Sequence, residues 1–173
     1  MAQFVIQSLT EKDIPAILKV YQDCEDFLAL GPQPVASVEM VMYDMKEAQT
    51  LGGVFMGIFS PIESVSGKKM KAQQLMGVLS YIASGFEGKP DQAFILLLMV
   101  AAQFRNQGLG GAVVAWLEDQ LHQESTVTRV QSGVQVNNPK AIRFWQRQGY
   151  QIIGPAQLFP DTTTALPLEK KLI

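Results

Sequence analysis

The segment that decides the fold is residues 93–114, AFILLLMVAAQFRNQGLGGAVV, in which an apolar run leads into a glycine-rich turn and then a helical pattern. Residues 93–100 are apolar throughout, as expected of a central strand that is buried on both faces. A helix is predicted at 109–122, because its apolar residues recur at the spacing of a helix that faces a sheet. This stripe consists of Gly110, Val113, Val114, Leu117 and Leu121.

The loop between this strand and this helix, Arg105-Asn106-Gln107-Gly108-Leu109-Gly110, has the features of an anion site. A helix N-terminus offers unpaired N–H groups and about half a positive charge, and glycine lets a ligand approach the backbone closely. The loop lacks the Lys-Ser/Thr pair of a Walker A loop, and Val113 stands where a G-x-G-x-x-G motif has glycine. Nucleoside triphosphate and dinucleotide sites are therefore disfavoured. By itself the segment fits a tight turn as well as an anion site.

A second motif lies at residues 136–150, VNNPKAIRFWQRQGY. Asn138 is a favourable N-cap, Pro139 suits the first helical position, and Gly149 suits the residue that follows a helix. We therefore predict a helix at 139–148. Capping explains these three residues, but it does not explain why the motif follows an Arg-x-x-Gly-x-Gly loop at this distance.

Together, the two motifs resemble those of the GNAT superfamily of acyl-CoA-dependent N-acyltransferases. The family's first pattern, L-x-V-x-P-x-x-R followed by x-x-G-x-G/A, is matched by Leu98, Val100, Arg105, Gly108 and Gly110, with Ala102 in place of the proline. The second pattern, N-x-x-A-x-x-F-Y-x-x-x-G-F/Y, is matched by Asn138, Ala141, Phe144, Gly149 and Tyr150, with Trp145 in place of the tyrosine. Either motif alone is unspecific, whereas the pair is specific.

The order of the predicted elements indicates an α/β or α+β fold. The resemblance implies a mixed, mostly antiparallel central sheet that is flanked by helices and splayed at its two central strands. A chain of 173 residues fits one domain, which we assign to residues 1–173. The remaining predicted elements are a strand at 4–9, helices that begin after Thr10 and Ser37, strands at 53–59 and 74–82 joined by a turn at Ser66-Gly67-Lys68-Lys69, and strands at 127–136, 150–153 and 165–171.

The resemblance also implies acetyl-CoA as the acyl donor and an amine as the acceptor. The main-chain amides of the glycine loop are expected to hold the coenzyme diphosphate, with Arg105 adding charge, while the backbone of Met99 and Val100 pairs with the pantetheine arm. The predicted coenzyme contacts are Leu98, Met99, Val100, Arg105, Asn106, Gln107, Gly108, Leu109, Gly110, Gly111, Asn138, Phe144 and Trp145. The sequence does not decide whether the protein forms a homodimer.

Catalysis requires that the amine, with a pKa of about 10.4, lose a proton. Glu87 and Asp91, in the turn before the central strand, are the candidate bases, acting directly or through water. A backbone N–H near Val100 is the candidate donor to the developing oxyanion. Because an indole is not a practical acid, Trp145 cannot replace the tyrosine that protonates the departing thiolate. Tyr150 or Tyr81 is the candidate substitute.

The composition excludes several other classes of function. A net charge of −2 provides no basic surface for nucleic acid. The longest apolar run, at 94–102, is about half the ~20 residues of a membrane-spanning helix. The N-terminal residues show no basic or apolar leader, so we expect a cytoplasmic protein. One cysteine and one histidine cannot form an internal disulfide or a zinc site, so no metal is expected.

The leading hypothesis is an N-acetyltransferase that acts on a small amine or a peptide amino group by direct transfer in a ternary complex. The alternative is a non-catalytic module of the same fold that binds or senses acyl-CoA, which the replacement of the acid by Trp145 favours. An interaction domain that binds no coenzyme would require both motifs to be structural turns.

Overall fold

The computed structural model describes residues 3–61, 73–124 and 126–172, so the predicted turn at Ser66-Gly67-Lys68-Lys69 lies outside the described residues. Every other strand and helix predicted above is present, with ends shifted by one or two residues. In chain order the elements are β1 (Val5–Ser8), α1 (Ile14–Gln22), α2 (Glu25–Leu28), α3 (Val38–Thr50), β2 (Val54–Phe59), β3 (Leu75–Ile82), β4 (Gln92–Val100), α4 (Leu109–Glu124), β5 (Arg129–Gln135), α5 (Pro139–Arg147), β6 (Gln151–Ile152), β7 (Gln157–Leu158) and β8 (Thr164–Lys171).

The strands form one mixed sheet with the order β1-β2-β3-β4-β5-β8-β6, and β7 pairs with β8. Among the described pairings, β4 with β5 is parallel and the others are antiparallel. The predicted mixed, mostly antiparallel sheet with flanking helices is therefore confirmed. The parallel pair joins the two halves of the sheet at its centre.

The sheet is covered by helices on both faces. Adjacent residues of β3 belong to different core clusters: Val78 packs with α1 and α3, whereas Leu79 packs with α4 and α5. Because neighbouring residues of a strand point to opposite faces, the two pairs of helices lie on opposite faces of the sheet. Within the described residues, no helix is long and apolar enough to cross a membrane.

The predicted helix starts are confirmed by their capping contacts. The Asp13 carboxylate accepts a hydrogen bond from the Thr10 N–H at 2.8 Å, at the start of a 3-10 turn, Glu11–Asp13, that leads into α1. The Ser37 hydroxyl accepts one from the Met40 N–H at 3.1 Å, and α3 begins at the next residue. These contacts satisfy N–H groups that the first turn of a helix leaves without a partner.

Three details differ from the sequence prediction. The four-residue helix α2 and the two-residue strand β7 are too short to produce a periodic signal, and neither was predicted. In α3 the apolar residues Val38, Val41, Met42 and Met45 recur at helical spacing, which predicts that they are buried together, but Met42 is half exposed whereas Ala48 is buried. The buried face of α3 therefore runs from Val41 through the Asp44–Met45 position to Ala48.

The two central strands diverge, as the family resemblance implies. The parallel ladder joins Gln92–Ile95 of β4 to residues 129–132 of β5, although β4 continues to Val100. At the end of the ladder the Ser132 hydroxyl donates a hydrogen bond to the Ile95 carbonyl at 3.1 Å. Residues 96–100 of β4 thus face a space from which β5 has turned away, which we call the β4 gap.

Gly77→Ala is expected to lower the free energy of unfolding by about 1–3 kcal/mol, the usual cost of overpacking. A Cβ at Gly77 would clash with the Met99 carbonyl oxygen and would lie 3.1 Å from Ile58 Cδ1. Urea denaturation measures the loss.

Gly133→Ala in β5 is the matched control, because its Cβ would meet Ala165 Cβ at an ordinary 3.9 Å. The control should keep or slightly raise the denaturation midpoint, since alanine restricts the unfolded chain. Equal midpoints for the two variants would contradict the packing role of Gly77.

Candidate functional site

The β4 gap exposes main-chain groups of alternate residues. The Ala101 N–H donates to the Met76 carbonyl at 2.9 Å, and Val78 stands opposite Met99 in the same ladder. Because hydrogen-bonded and non-hydrogen-bonded pairs alternate in an antiparallel ladder, Met99 directs its N–H and C=O at β3. Leu98 and Val100 direct theirs into the gap. Of the two residues expected to pair with the pantetheine arm, Val100 therefore directs its main chain into the gap, whereas Met99 directs its main chain at β3.

A β-bulge marks the start of the gap. Ser80 of β3 stands opposite Leu97, and the next residue, Tyr81, stands opposite Ile95, so Leu96 has no direct partner across the ladder. An extra residue bends its strand and increases the local twist. The bulge therefore coincides with the point at which the ladder to β5 ends, and it bends β4 where the strands separate.

The glycine loop carries the chain from the gap to α4. A short 3-10 turn, Ala102–Phe104, precedes it, and both Asn106 and Gly108 have positive φ, at 59° and 82°. A Cβ at Gly108 would have no atom within 4 Å, so the loop is open to solvent on this side. The N-terminus of the 16-residue helix α4 follows directly, with its unpaired N–H groups. This is the geometry of an anion site.

The two sequence motifs lie next to each other. A Cβ at Gly110 would lie 3.2 Å from Phe144, and one at Gly111 would lie 3.1 Å from the Gln148 amide oxygen. These glycines therefore let α5 pack closely against the first turn of α4. Gly110 and Gly111 thus have a packing role against Phe144 and Gln148, in addition to their expected place at the diphosphate.

Arg105 ties the loop to the rest of the protein. Its Nε donates to the Val100 carbonyl at 2.7 Å, and its guanidinium forms a 2.6 Å ion pair with Asp26 of α2. The Cys24 thiol also donates to the Val100 carbonyl, at 3.5 Å. The hydrogen bond from Arg105 lowers the pKa of the Asp26 carboxyl, whereas burial raises the pKa of Cys24. Arg105 therefore positions the loop, and its contact with a phosphate stays a prediction.

The second motif supplies a cap and an aromatic cluster. The Asn138 side-chain oxygen accepts a hydrogen bond from the Ala141 N–H at 3.0 Å, which confirms the predicted cap. Trp145 is buried, with its ring edge-on to Phe144 at 5.2 Å and to Tyr150 at 4.9 Å between centroids. Such pairs stabilise a core beyond the area they bury. Trp145 thus packs in the α4–α5 core.

Tyr150 lies deep in this core. The residue is 2% exposed, and burial, together with the nearby Glu118 carboxylate, raises the pKa of its hydroxyl. Lys170 of β8 forms a 2.6 Å ion pair with Glu118 and lies 6.0 Å from the Tyr150 ring centroid. The raised pKa makes the Tyr150 hydroxyl a weaker acid than that of an exposed tyrosine. Its proposed role as an acid stays a prediction.

The two predicted bases lie at the other end of β4. Glu87 is exposed and pairs with Lys89 at 3.1 Å. Asp91 accepts hydrogen bonds from Thr128 at 3.1 Å and Arg129 at 3.0 Å, and the Thr128 bond lowers its pKa. Asp91 lies just before the part of β4 that is paired with β5, and the gap lies just after that part. Roughly 15 Å of strand therefore separates Asp91 from the gap. The structure does not bring these carboxylates to the gap.

A different carboxylate lies beside the gap. A cavity of about 60 Å³, which we call the α3 pocket, lies between α3 and the sheet. It is lined by Asp44, Glu47, Ala48, Phe55, Ser80, Leu96 and Leu97. The Tyr21 hydroxyl donates to Asp44 Oδ2 at 2.6 Å, and burial raises the pKa of Asp44 from 3.8 to about 6. Asp44 was not among the residues predicted from the sequence, although its position between Val41 and Ala48 places it on the buried face of α3.

A larger cavity, of about 280 Å³, lies beyond the end of β5. It is lined by Leu30, Gly31 and Pro32, by Val136 and Asn137, and by residues 162–164. The Asn137 side-chain N–H donates to the Leu30 carbonyl at 3.0 Å, so the loop before α3 is tied to the end of β5. This cavity opens where β5 leads into α5.

Asp44→Asn is expected to stabilise the protein at pH 7.5 by about 1–3 kcal/mol. The folded-state pKa of Asp44 is raised, so the native state binds the proton more tightly than the unfolded chain does. Stability is therefore greatest below the unfolded pKa of 3.8 and falls as the pH rises to about 6. Asparagine avoids this loss and still accepts the Tyr21 hydrogen bond.

Urea denaturation at pH 7.5 and pH 4 measures the effect, and the advantage of Asp44→Asn should largely disappear at pH 4. Glu39→Gln, which removes an exposed charge from the same helix, should leave stability nearly unchanged at both pH values. A less stable Asp44→Asn protein at pH 7.5 would contradict the strained carboxylate.

Solved structures share this fold over nearly the whole chain. An acetyltransferase from Thermus thermophilus is 20% identical, with a TM-score of 0.74, and the match covers 98% of this chain and 97% of that one. A spermidine N-acetyltransferase from Vibrio cholerae, in complex with CoA and spermine, is 12% identical with a TM-score of 0.69 and coverages of 98% and 96%. A ribosomal-protein-alanine N-acetyltransferase from Brucella melitensis is 22% identical, with a TM-score of 0.64 and coverages of 97% and 99%. At these identities the likeness establishes the fold.

The sequence itself also matches a family. None of the curated proteins matches the chain at a significant level. The family described as acetyltransferase (GNAT) matches residues 61–150, which is more than half of the 173 residues. The matched segment contains β3, β4, the glycine loop, α4, β5 and α5, and so includes both motifs. The chain therefore belongs to the acetyltransferase (GNAT) family.

Proposed function

We propose that this enzyme transfers an acetyl group from acetyl-CoA to a primary amine, on a small molecule or a peptide, by direct transfer with both substrates bound. The observation that carries the proposal is the free edge of β4 leading into the glycine loop at the N-terminus of α4. That arrangement offers strand-like hydrogen bonds to an amide-containing chain and, at its end, N–H groups for an anion. Residues 1–173 act as one catalytic domain.

The residues of the gap fit coenzyme A. The pantetheine arm contains two amides, which can extend the sheet by pairing with the backbone of Leu98 and Val100. The Val100 carbonyl is already occupied by Arg105, so its N–H is the group left for a ligand. The diphosphate lies on the amides of the glycine loop from Arg105 to Gly110, where α4 also contributes its dipole. Bound in this way, acetyl-CoA supplies an activated acetyl group.

The acceptor amine approaches from the face of the sheet covered by α1 and α3. The α3 pocket on that face reaches β4 at Leu96 and Leu97, beside the start of the gap. The spermidine N-acetyltransferase mentioned above was solved with a polyamine, and the ribosomal enzyme is named for an alanine substrate. Both names describe amine acceptors, which supports an amine here without deciding between a small molecule and a peptide.

Gly108→Ala is expected to weaken acetyl-CoA binding by about tenfold, because alanine disfavours the φ of 82° and displaces the N–H groups of the loop. Gly52→Ala is the matched control: Gly52 has a φ of 73°, and its Cβ would also meet nothing within 4 Å. Isothermal titration calorimetry gives the two dissociation constants. The two variants should lose similar stability, and equal weakening of acetyl-CoA binding would refute a diphosphate site on this loop.

Trp145→Tyr is expected to raise kcat, by up to about 10²-fold, if proton transfer to the thiolate limits turnover. Tyrosine restores the hydroxyl that the family pattern has at this position. Trp145→Phe is the control, since it removes the same indole without supplying an acid. Release of free thiol from acetyl-CoA measures both. Equal rates for the two variants would mean that the family's acid is not the limiting group.

The same thiol assay separates the enzyme from a non-catalytic acyl-CoA-binding module. An enzyme releases CoA when an amine is added, whereas a sensing module binds acetyl-CoA and leaves it intact. The burial of Trp145 in the α4–α5 core is equally compatible with both functions. The membership of the chain in an acetyltransferase family favours the enzyme.

A further inference from the structure

Three strands of the sheet contribute a row of residues to the floor of the α3 pocket. Phe55 of β2 stands opposite Ser80 of β3, and Ser80 stands opposite Leu97 of β4. Residues directly opposite one another point to the same face, so this row lies under α3. Asp44 and Glu47 lie above it on one side of that helix. The strands therefore contribute apolar side chains and one hydroxyl to the pocket, and α3 contributes two carboxylates.

Ser80 carries an unsatisfied hydroxyl in this pocket. The residue is 2% exposed, and its Oγ has no hydrogen-bond partner within the described residues. A buried polar atom left unpaired costs about 1–3 kcal/mol, so such atoms mark places where a ligand or water completes the structure. The pocket thus offers a donor and acceptor that the protein itself does not use.

Asp44 offers a second unused group. The Tyr21 hydroxyl donates a hydrogen bond to Asp44 Oδ2, and no described residue donates one to the other carboxylate oxygen, Asp44 Oδ1. The titratable groups that face Asp44 are Tyr21 from α1 and Glu47 from its own helix, and the strand residues of the pocket are uncharged. No described cation therefore neutralises this carboxylate pair at the pocket. Asp44 and Ser80 line the same pocket, where a bound cation would offset the charge of Asp44.

On the basis of the proposed function, we infer that the α3 pocket binds the reacting group of the acceptor as a primary ammonium, with Asp44 as the proton acceptor and Ser80 as a hydrogen-bonding partner. A water molecule needs about 10–15 Å³ of such space, so a volume of about 60 Å³ holds roughly four to six groups of that size, enough for an ammonium and the carbons next to it. The rest of the acceptor lies outside, past the exposed Glu47.

Each proton and electron pair of the proposed transfer has a stated destination. The ammonium gives one proton to Asp44, and the nitrogen lone pair then forms the C–N bond to the acetyl carbonyl carbon. The C–S bond breaks and its electron pair leaves on sulfur, which receives the second nitrogen proton through solvent. Asp44 returns its proton to water. The products are the N-acetyl amine, free CoA and one proton.

The environment of Asp44 suits this task. Burial brings its pKa to about 6, so the carboxylate is ionised at neutral pH and is still a better base than an exposed one. Its hydrogen bond from Tyr21 fixes the carboxylate over the strands. The position beside Leu96 and Leu97 places an amine nitrogen next to the gap in which the thioester is expected.

The first test measures binding of butylammonium chloride by calorimetry to the CoA-saturated protein. Wild type and Glu39→Gln should bind it equally, because Glu39 lies on α3 outside the pocket. Asp44→Asn should weaken the binding at least tenfold, and Ser80→Ala should weaken it less, while CoA affinity stays unchanged in each variant. Absence of binding to wild type, or equal binding to Asp44→Asn, overturns the inference.

The second test measures CoA release with butylamine and with alaninamide. The kcat/KM of wild type should rise through pH 6 with each amine that it uses, and Asp44→Asn should lose this rise. An unchanged pH profile in Asp44→Asn overturns the inference. Butylammonium binding without CoA release from any amine would overturn the proposed acetyl transfer and leave the ammonium site standing.

Discussion

Main-chain hydrogen bonding along β4 is the constraint on which the site depends. The strand is paired on both sides as far as Ile95, and the ladder to β5 ends there. At that point the Ser132 hydroxyl donates a hydrogen bond to the Ile95 carbonyl. Backbone N–H and C=O groups must find partners wherever water is excluded. The alternate groups of Leu98 and Val100 are therefore available to an extended ligand. The bulge at Leu96 and the departure of β5 together create this opportunity.

The loop that follows is held from two directions. Arg105 connects it to the end of β4 and to α2, and Gly110 and Gly111 bring α5 against the first turn of α4. The residues of the family motif thus have structural roles, and the same residues can hold these roles and bind the coenzyme. Preorganised amides bind an anion well because they need no rearrangement when the ligand arrives.

The acidic residue beside the gap illustrates a conflict between stability and chemistry. Burial makes the ionised form of Asp44 less stable than that of an exposed carboxylate, as its raised pKa indicates. A protein under selection for stability alone would place a neutral residue there, since strained groups persist mainly at functional sites. The unsatisfied hydroxyl of Ser80 across the pocket is a second departure of the same kind.

The sequence by itself determined the longer strands and helices, two caps and the position of the glycine loop, because strand and helix periodicity, Ser37 and Asn138 as caps, and a run of glycines are local properties of the chain. It also indicated the family through two motifs of main-chain function. Tertiary structure decided which carboxylate lies at the gap: Glu87 and Asp91 are near β4 in sequence but lie before its paired part, whereas Asp44 is distant in sequence and reaches β4 through the packing of α3. Proximity across a sheet depends on which elements pack together, and a local pattern does not contain that information.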